Sequence, residues 1–169
     1  AAAAGRVAEL KRYALVVDDR LGDAVRATRA WQRVLELAPR DRAALDALAR
    51  LHTGNQRWRE LAEVLAVQGP LLAGDEPERA AEIALERAEI LEHKLGAPAE
   101  AARALEQLLA EVDPGNLDAH SALRRLYGLQ LERSGFEVIV AEHGEDGLRL
   151  ALESQFDLIV ADLNMPILD

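Results

Sequence analysis

Residues 21–35 read LGDAVRATRAWQRVL, and residues 95–109 read LGAPAEAARALEQLL. The two stretches align without a gap at a constant offset of 74 positions, and six of the fifteen aligned residues are identical. The identical residues are Leu21, Gly22, Ala27, Arg29, Ala30 and Leu35 in the first copy, and Leu95, Gly96, Ala101, Arg103, Ala104 and Leu109 in the second. This offset holds two units of about 37 residues, which is a length typical of a helix–turn–helix repeat. An internal repeat of helical hairpins therefore decides the fold of most of the chain.

A middle unit fits between the two copies. Residues 42–52 carry leucines at helical spacing, and a second apolar stripe begins at Trp58. Pro70 predicts a break in that second helix, and Pro77 predicts the start of the next one, because proline is well tolerated at a first helical position. Residues 116–127 predict one further helix, so the hairpin pattern continues toward the carboxy terminus.

The pattern over approximately residues 6–128 resembles a tetratricopeptide-repeat array. The resemblance depends on small residues where helices would cross, such as Ala27 and Ala101, on the Leu-Gly pairs that would end the first helix of a unit, and on the closing prolines Pro39 and Pro114. It implies antiparallel helix hairpins that stack to bury their apolar faces. It also implies a concave surface that binds a protein or peptide partner.

The last part of the chain, residues 131–169, changes from helical to extended patterning. Its sequence is LERSGFEVIVAEHGEDGLRLALESQFDLIVADLNMPILD. Residues 136–142 and 156–161 are β-branched and apolar, which predicts two strands, and residues 144–154 between them carry a helical stripe. Strand, helix and strand with short connections predict a βαβ unit with a parallel pair of strands.

Approximately residues 119–169 resemble part of the receiver domain of bacterial response regulators. The resemblance makes Asp162 the phosphoacceptor and implies a magnesium ion bound by Asp162 and by the backbone carbonyl of Asn164, with a histidine kinase as partner. A receiver also uses a Ser or Thr after its fourth strand and a Lys after its fifth, and we expect the segment to be truncated before them. We therefore predict that the segment is incompetent alone and that residues 156–161 leave an open sheet edge available for self-association.

Residues 13–19, YALVVDD, allow two interpretations. As a receiver's first strand they would make Asp18 and Asp19 the acidic pair that holds magnesium, with the helical array inserted after them. At the offset of 74, however, Val17 and Leu21 align with Leu91 and Leu95 on one helical face, so the same residues end the first helix of a repeat. We favour the helix.

Composition excludes several other functions. The chain has no cysteine, so thiol catalysis, disulfides and cysteine-based metal sites are absent. Its formal net charge of −10 disfavours nucleic acid and anionic membrane surfaces as partners. We find no leader or membrane-spanning pattern and expect a cytoplasmic protein.

The fold class that we predict is mainly α, with tetratricopeptide-like hairpins over 1–128 followed by a partial α/β, receiver-like segment over 129–169. The predicted function is a protein–protein interaction scaffold in bacterial two-component-type signalling, rather than an enzyme. One alternative is a phosphoacceptor receiver that carries the helical repeats as an insertion. Another is a truncated or engineered composite without integrated function.

Overall fold

A computed structural model describes residues 2–19, 23–141 and 144–161, with side chains from residue 5 onward. The described residues form eight α-helices and one π-helical turn. They are α1 (Ala2–Asp19), α2 (Ala24–Leu37), α3 (Arg42–Gly54), α4 (Trp58–Leu72), α5 (Pro77–Glu89), the π-helical turn (Ile90–Lys94), α6 (Pro98–Glu111), α7 (Leu117–Arg133) and α8 (Gly144–Glu153). The chain divides into two compact units, Ala1–His120 and Ser121–Asp169. The mainly α fold predicted from the sequence is confirmed, and the predicted boundary at 128/129 lies inside α7.

Local sequence signals set the helix starts in the first unit. The carboxylate of Asp23 accepts a hydrogen bond from the backbone N–H of Arg26 at 2.9 Å, and Asp41 accepts one from that of Ala44 at 3.0 Å. Each bond satisfies a donor that the first helical turn leaves without an intrahelical partner. Pro77 and Pro98 begin α5 and α6, as expected of a residue whose missing N–H costs nothing there.

Helices that are consecutive in sequence pack side by side from α1 to α6. The core of the first three is built from alanines around a few large residues. Its largest member, Trp31, is 2% exposed and packs with Val17 of α1 and Leu48 of α3. Small residues such as Ala27 and Ala44, both fully buried, let the helix backbones approach closely enough for one tryptophan to fill the space between them.

The break predicted at Pro70 is wrong, because α4 continues through this proline to Leu72. Packing explains the difference. A Cβ placed on Gly69 would lie 3.6 Å from Cγ2 of Ile83 and 3.7 Å from the backbone oxygen of Ala80, so α4 and α5 approach closely at this turn. Burial of Leu72 on the last turn of the helix offsets the backbone hydrogen bond that Pro70 cannot donate.

The structure supports one of the two predicted Leu-Gly helix ends. Gly96 follows the π-helical turn with a φ of +60°, the left-handed conformation that glycine adopts without a steric penalty. The backbone N–H of Ala97 then bonds to the carbonyl of Leu91 at 2.8 Å, which closes the end of the helix. Gly22 lies outside the described residues.

Ion pairs join helices of successive hairpins. The ammonium of Lys11 on α1 lies 2.8 Å from a carboxylate oxygen of Asp41 at the start of α3, and Arg59 on α4 lies 2.9 Å from Glu100 on α6. Partial burial acts to raise the pKa of Asp41, but the hydrogen bonds from Lys11 and from the Ala44 N–H outweigh it and hold that pKa below its usual value. The Arg59–Glu100 pair adds little stability, since both of its side chains are about half exposed, whereas the Lys11–Asp41 pair is more buried.

The second unit differs from its predicted pattern. The helix predicted at 144–154 is present as α8, but Leu148 and Leu152 on it are 63% and 80% exposed. Residues 136–141 and 156–161, which cover the described part of both predicted strands, have no regular secondary structure. The βαβ unit and its open sheet edge are therefore not confirmed in the described residues. A strand exists only when its backbone groups pair with a neighbour, and apolar β-branched residues do not supply that neighbour.

A candidate partner-binding groove and the predicted phosphoacceptor residues

An open groove of about 490 Å³ lies in the first unit, where α3, α4 and α5 meet. Its floor is apolar and includes Leu45 and Ile83, which are each 1% exposed. Its walls are polar, with Arg42, Asp46 and Arg50 on α3. The groove joins two successive hairpins, so neither hairpin could form it alone.

The charged side chains of the groove are balanced and follow the helical repeat. On α3, Arg42, Asp46 and Arg50 recur every four residues and alternate in sign. Arg42 pairs with Glu76 at the start of α5, and this hydrogen bond raises the pKa of the Arg42 guanidinium. Because positive and negative groups alternate along the wall, the groove presents no net field that would attract a ligand of one charge.

The predicted metal ligand Asp18 has protein partners in the structure. It lies on α1, where its side chain is 7% exposed and forms an ion pair with Arg50 of α3. It also accepts a hydrogen bond from the indole Nε1–H of Trp31 on α2, at 3.2 Å. Asp18 therefore joins three helices, and the tryptophan that fills the core has its single polar atom satisfied by it.

Residues 13–19 lie entirely within α1, so the interpretation as a receiver's first strand is wrong and the helical one is confirmed. The spacing of the apolar residues decides the conformation. Ala14 and Val17 are buried against the core, whereas a strand would have placed alternate residues on one face. Asp19 is exposed at the end of the helix.

The remaining predicted site residues, Asp162 and Asn164, lie outside the described residues. Within the part of the chain that the structure describes, no group of three or more His, Asp or Glu side chains is arranged to hold a metal ion. The roles of Asp162, Asn164, Asp18 and Asp19 at a magnesium site stay predictions.

His52 is a buried titratable residue whose position the sequence did not reveal. Its side chain is 2% exposed on the last turn of α3, and its Nδ1 has no hydrogen-bond partner among the described residues. Burial lowers the pKa of His52, and the Arg57 charge acts in the same direction, while Glu60 and Glu63 oppose it. His52 follows directly after the leucines of α3, and this pattern does not indicate whether its side chain is buried or faces solvent.

We expect the free energy of unfolding to fall as the pH is lowered through 6.5, the ordinary pKa of histidine. Below that value the unfolded chain takes up a proton at this residue while folded His52 stays neutral, so protons favour unfolding. The His52→Phe variant should lose this part of the pH dependence in urea titrations between about pH 8 and pH 5, and exposed His93→Gln should keep it. Equal pH profiles for the wild type and His52→Phe would contradict the assignment.

No protein-family model matches the chain. It does match several curated proteins over short stretches. Over 62 residues it is 39% identical to the transcriptional regulatory protein GlrR of Escherichia coli, which covers 37% of this chain and 12% of GlrR. Over 50 residues it is 38% identical to ResD of Bacillus subtilis, covering 30% of this chain and 21% of ResD. Over 52 residues it is 50% identical to PrrA of Mycobacterium tuberculosis, covering 31% and 21% respectively.

The matched stretches span only about an eighth to a fifth of the length of these regulatory proteins. They support a receiver-like segment in this chain and a link to two-component signalling. They do not extend over enough of the chain to account for the helical hairpins. Among the described residues, none of the helices combines the length and the apolar character that crossing a membrane requires.

Proposed function

We propose that the chain is a cytoplasmic protein–protein interaction scaffold in bacterial two-component-type signalling. In this proposal the first unit is a tetratricopeptide-like array, and the groove between α3 and α5 holds an extended segment of a partner protein. The observation that carries the proposal is this groove, which is formed by successive hairpins. The similarity to transcriptional regulatory proteins supports the signalling context.

The dimensions and lining of the groove suit a peptide better than a small metabolite. Its volume of about 490 Å³ is enough for several side chains, and it is open to solvent along one side. Leu45 and Ile83 lie beneath the groove and are almost completely buried, so a bound peptide would contact mainly the wall. The alternating charges of the wall would meet polar and charged side chains of either sign.

The groove can be tested with peptides selected from a displayed library. Ala49 lines the groove on α3, and Ala43 is an exposed alanine of the same helix outside it. We expect Ala49→Arg to weaken binding of selected peptides by at least about tenfold, because the new side chain fills the groove. Ala43→Arg adds the same charge and should leave binding unchanged in isothermal titration.

Two outcomes of this selection would overturn the proposal. One is a set of peptides that binds the wild type and Ala49→Arg equally. The other is selection that yields only peptides sensitive to Ala43→Arg. Far-UV circular dichroism of both variants separates a blocked groove from an unfolded one.

A second candidate function is phosphoryl acceptance at Asp162, which the partial similarity to the regulatory proteins favours. The Asp162 carboxylate would attack the phosphorus of a phosphohistidine or of acetyl phosphate, and the bond from phosphorus to the histidine nitrogen or to the acetate oxygen would break. Magnesium held by Asp162 and the Asn164 carbonyl would neutralise charge on both reactants.

We expect the 169-residue chain to incorporate no phosphoryl group from acetyl phosphate and magnesium, judged by intact mass. A receiver site needs paired parallel strands that bring its side chains together at one sheet edge, and the described residues 136–141 and 156–161 have no regular secondary structure. Incorporation that is lost in Asp162→Asn would show that the segment is competent as it stands. The Asp157→Asn variant changes a nearby carboxylate outside the phosphoacceptor loop and serves as the control.

A further inference from the structure

Three large apolar side chains of α1 are exposed: Tyr13 is 56% exposed, and Leu15 and Val16 are each 47% exposed. With 3.6 residues per turn, Val16 lies on the outer face of the helix, and Tyr13 and Leu15 lie on its two opposite flanks. Two charged residues of the same face, Glu9 and Arg12, are also exposed. The opposite face of the helix packs into the core of the first unit and is apolar. The outer face carries both apolar and charged side chains.

Residue size changes along this outer face. Its first half holds Gly5 and Ala8, and its second half holds Val16, with Tyr13 and Leu15 on the two flanks. Gly5 leaves open space above the helix backbone, because a Cβ placed there would meet no atom within 4 Å. A second helix could therefore approach the first half closely, provided that it placed its own bulky residues there.

We infer that the outer face of α1 binds the same face of a second copy of this chain, with the two helices antiparallel. A pair centred between Leu10 and Lys11 would place Val16 over Gly5 of the partner subunit. It would also place Glu9 opposite Arg12 of the partner subunit, and by symmetry each contact would occur twice. Val16 then meets the smallest residue of the face, and opposite charges meet.

Charge favours this arrangement over the parallel one. Parallel copies would bring Glu9 beside Glu9 of the partner subunit, and the two Arg12 side chains would repel each other in the same way. The helix dipole acts in the same direction. α1 has no basic residue in its last turn to balance the acidic end, and an antiparallel neighbour places its positive N-terminal end beside it.

A contact between two helices of this length buries less than the roughly 800 Å² per partner of a standard interface, so we expect association in the micromolar range. Sedimentation velocity over a concentration series measures it. Val16→Glu should weaken the dimer by about tenfold or more, because the introduced carboxylate would be desolvated beside an apolar contact. Matched controls are Val25→Glu on α2 and Leu152→Glu on α8, at positions 61% and 80% exposed, and both should leave the dimer intact.

A charge exchange distinguishes a second copy from any other partner. Glu9→Arg and Arg12→Glu should each weaken association, since each brings like charges together. The double variant should restore it, because both copies then carry the exchanged charges. Restoration is expected only when the partner is another copy of the same chain.

Disulfide trapping tests the register directly, because the chain has no cysteine. Gly5→Cys protein mixed with Val16→Cys protein should form a cross-linked pair on mild oxidation, and Gly5→Cys mixed with Val25→Cys should not. The inference is overturned if the wild type stays monomeric over the series or if the charge exchange fails to restore association. Loss of the dimer in Leu152→Glu would also overturn it, by placing the contact on α8.

Discussion

Replacement of Trp31 by alanine is expected to lower the free energy of unfolding by about 3–5 kcal/mol. The side chain is 2% exposed and fills the space among α1, α2 and α3, so its removal leaves a cavity that the surrounding alanines cannot close. The measurement is urea denaturation followed by far-UV circular dichroism, which reports the helices and does not depend on tryptophan fluorescence.

The internal repeat supplies the control for this prediction. Leu105 occupies the position equivalent to Trp31 in the second copy and is 1% exposed. Trp31→Leu should therefore cost less than Trp31→Ala, because leucine is the residue that the repeat places in the equivalent space. Equal losses for the two variants would show that the size of this side chain does not determine the stability of the core.

Replacement of Asp18 by alanine is expected to cost about 1–3 kcal/mol, because it leaves the buried Nε1–H of Trp31 without its acceptor. The ion pair with Arg50 adds little to this figure, since Arg50 is 61% exposed. Asp18→Asn keeps a side-chain oxygen for the indole and should cost less. Asp19→Ala removes an exposed carboxylate and should change the stability by no more than about 0.5 kcal/mol.

Magnesium separates this structural role of Asp18 from the role of a metal ligand. We expect magnesium to leave the midpoint of thermal unfolding of the wild type unchanged. A midpoint that rises with magnesium in the wild type, but not in Asp18→Ala, would assign Asp18 to a metal site instead. If the Asp18→Ala variant is as stable as Asp19→Ala, the hydrogen bond from Trp31 to Asp18 does not contribute to stability as proposed.

The helical hairpins could be predicted because their signals are local. Apolar residues at helical spacing, the Pro77 start and the glycine at Gly96 each act within a few residues. The break predicted at Pro70 is wrong because the proline removes one local hydrogen bond, whereas the packing that compensates for this loss involves residues distant in sequence. The close packing of α4 on α5 at Gly69 depends on residues that follow later in the chain.

The strands predicted at 136–142 and 156–161 also depend on contacts between segments distant in sequence. Residues 136–141 have the composition of a strand, and their side chains at Phe136 and Ile139 are about half exposed without one. Composition reports only that a segment would fit a pleated surface. Pairing needs a second segment in register, and nothing in the composition of 136–141 provides one.

The sequence by itself determined that the chain is mainly helical and that a helix starts at Pro77, since apolar periodicity and helix-start signals act within one or two turns. Tertiary structure alone decided that Asp18 binds Trp31 and Arg50, that His52 is buried, and that a groove opens between α3 and α5. Asp18 is 13 and 32 positions from Trp31 and Arg50, and Arg42 of the groove is 34 positions from Glu76, so these contacts form only when helices pack. Whether such contacts form depends on which groups are buried together and on the cost of removing them from water, and no local pattern encodes either.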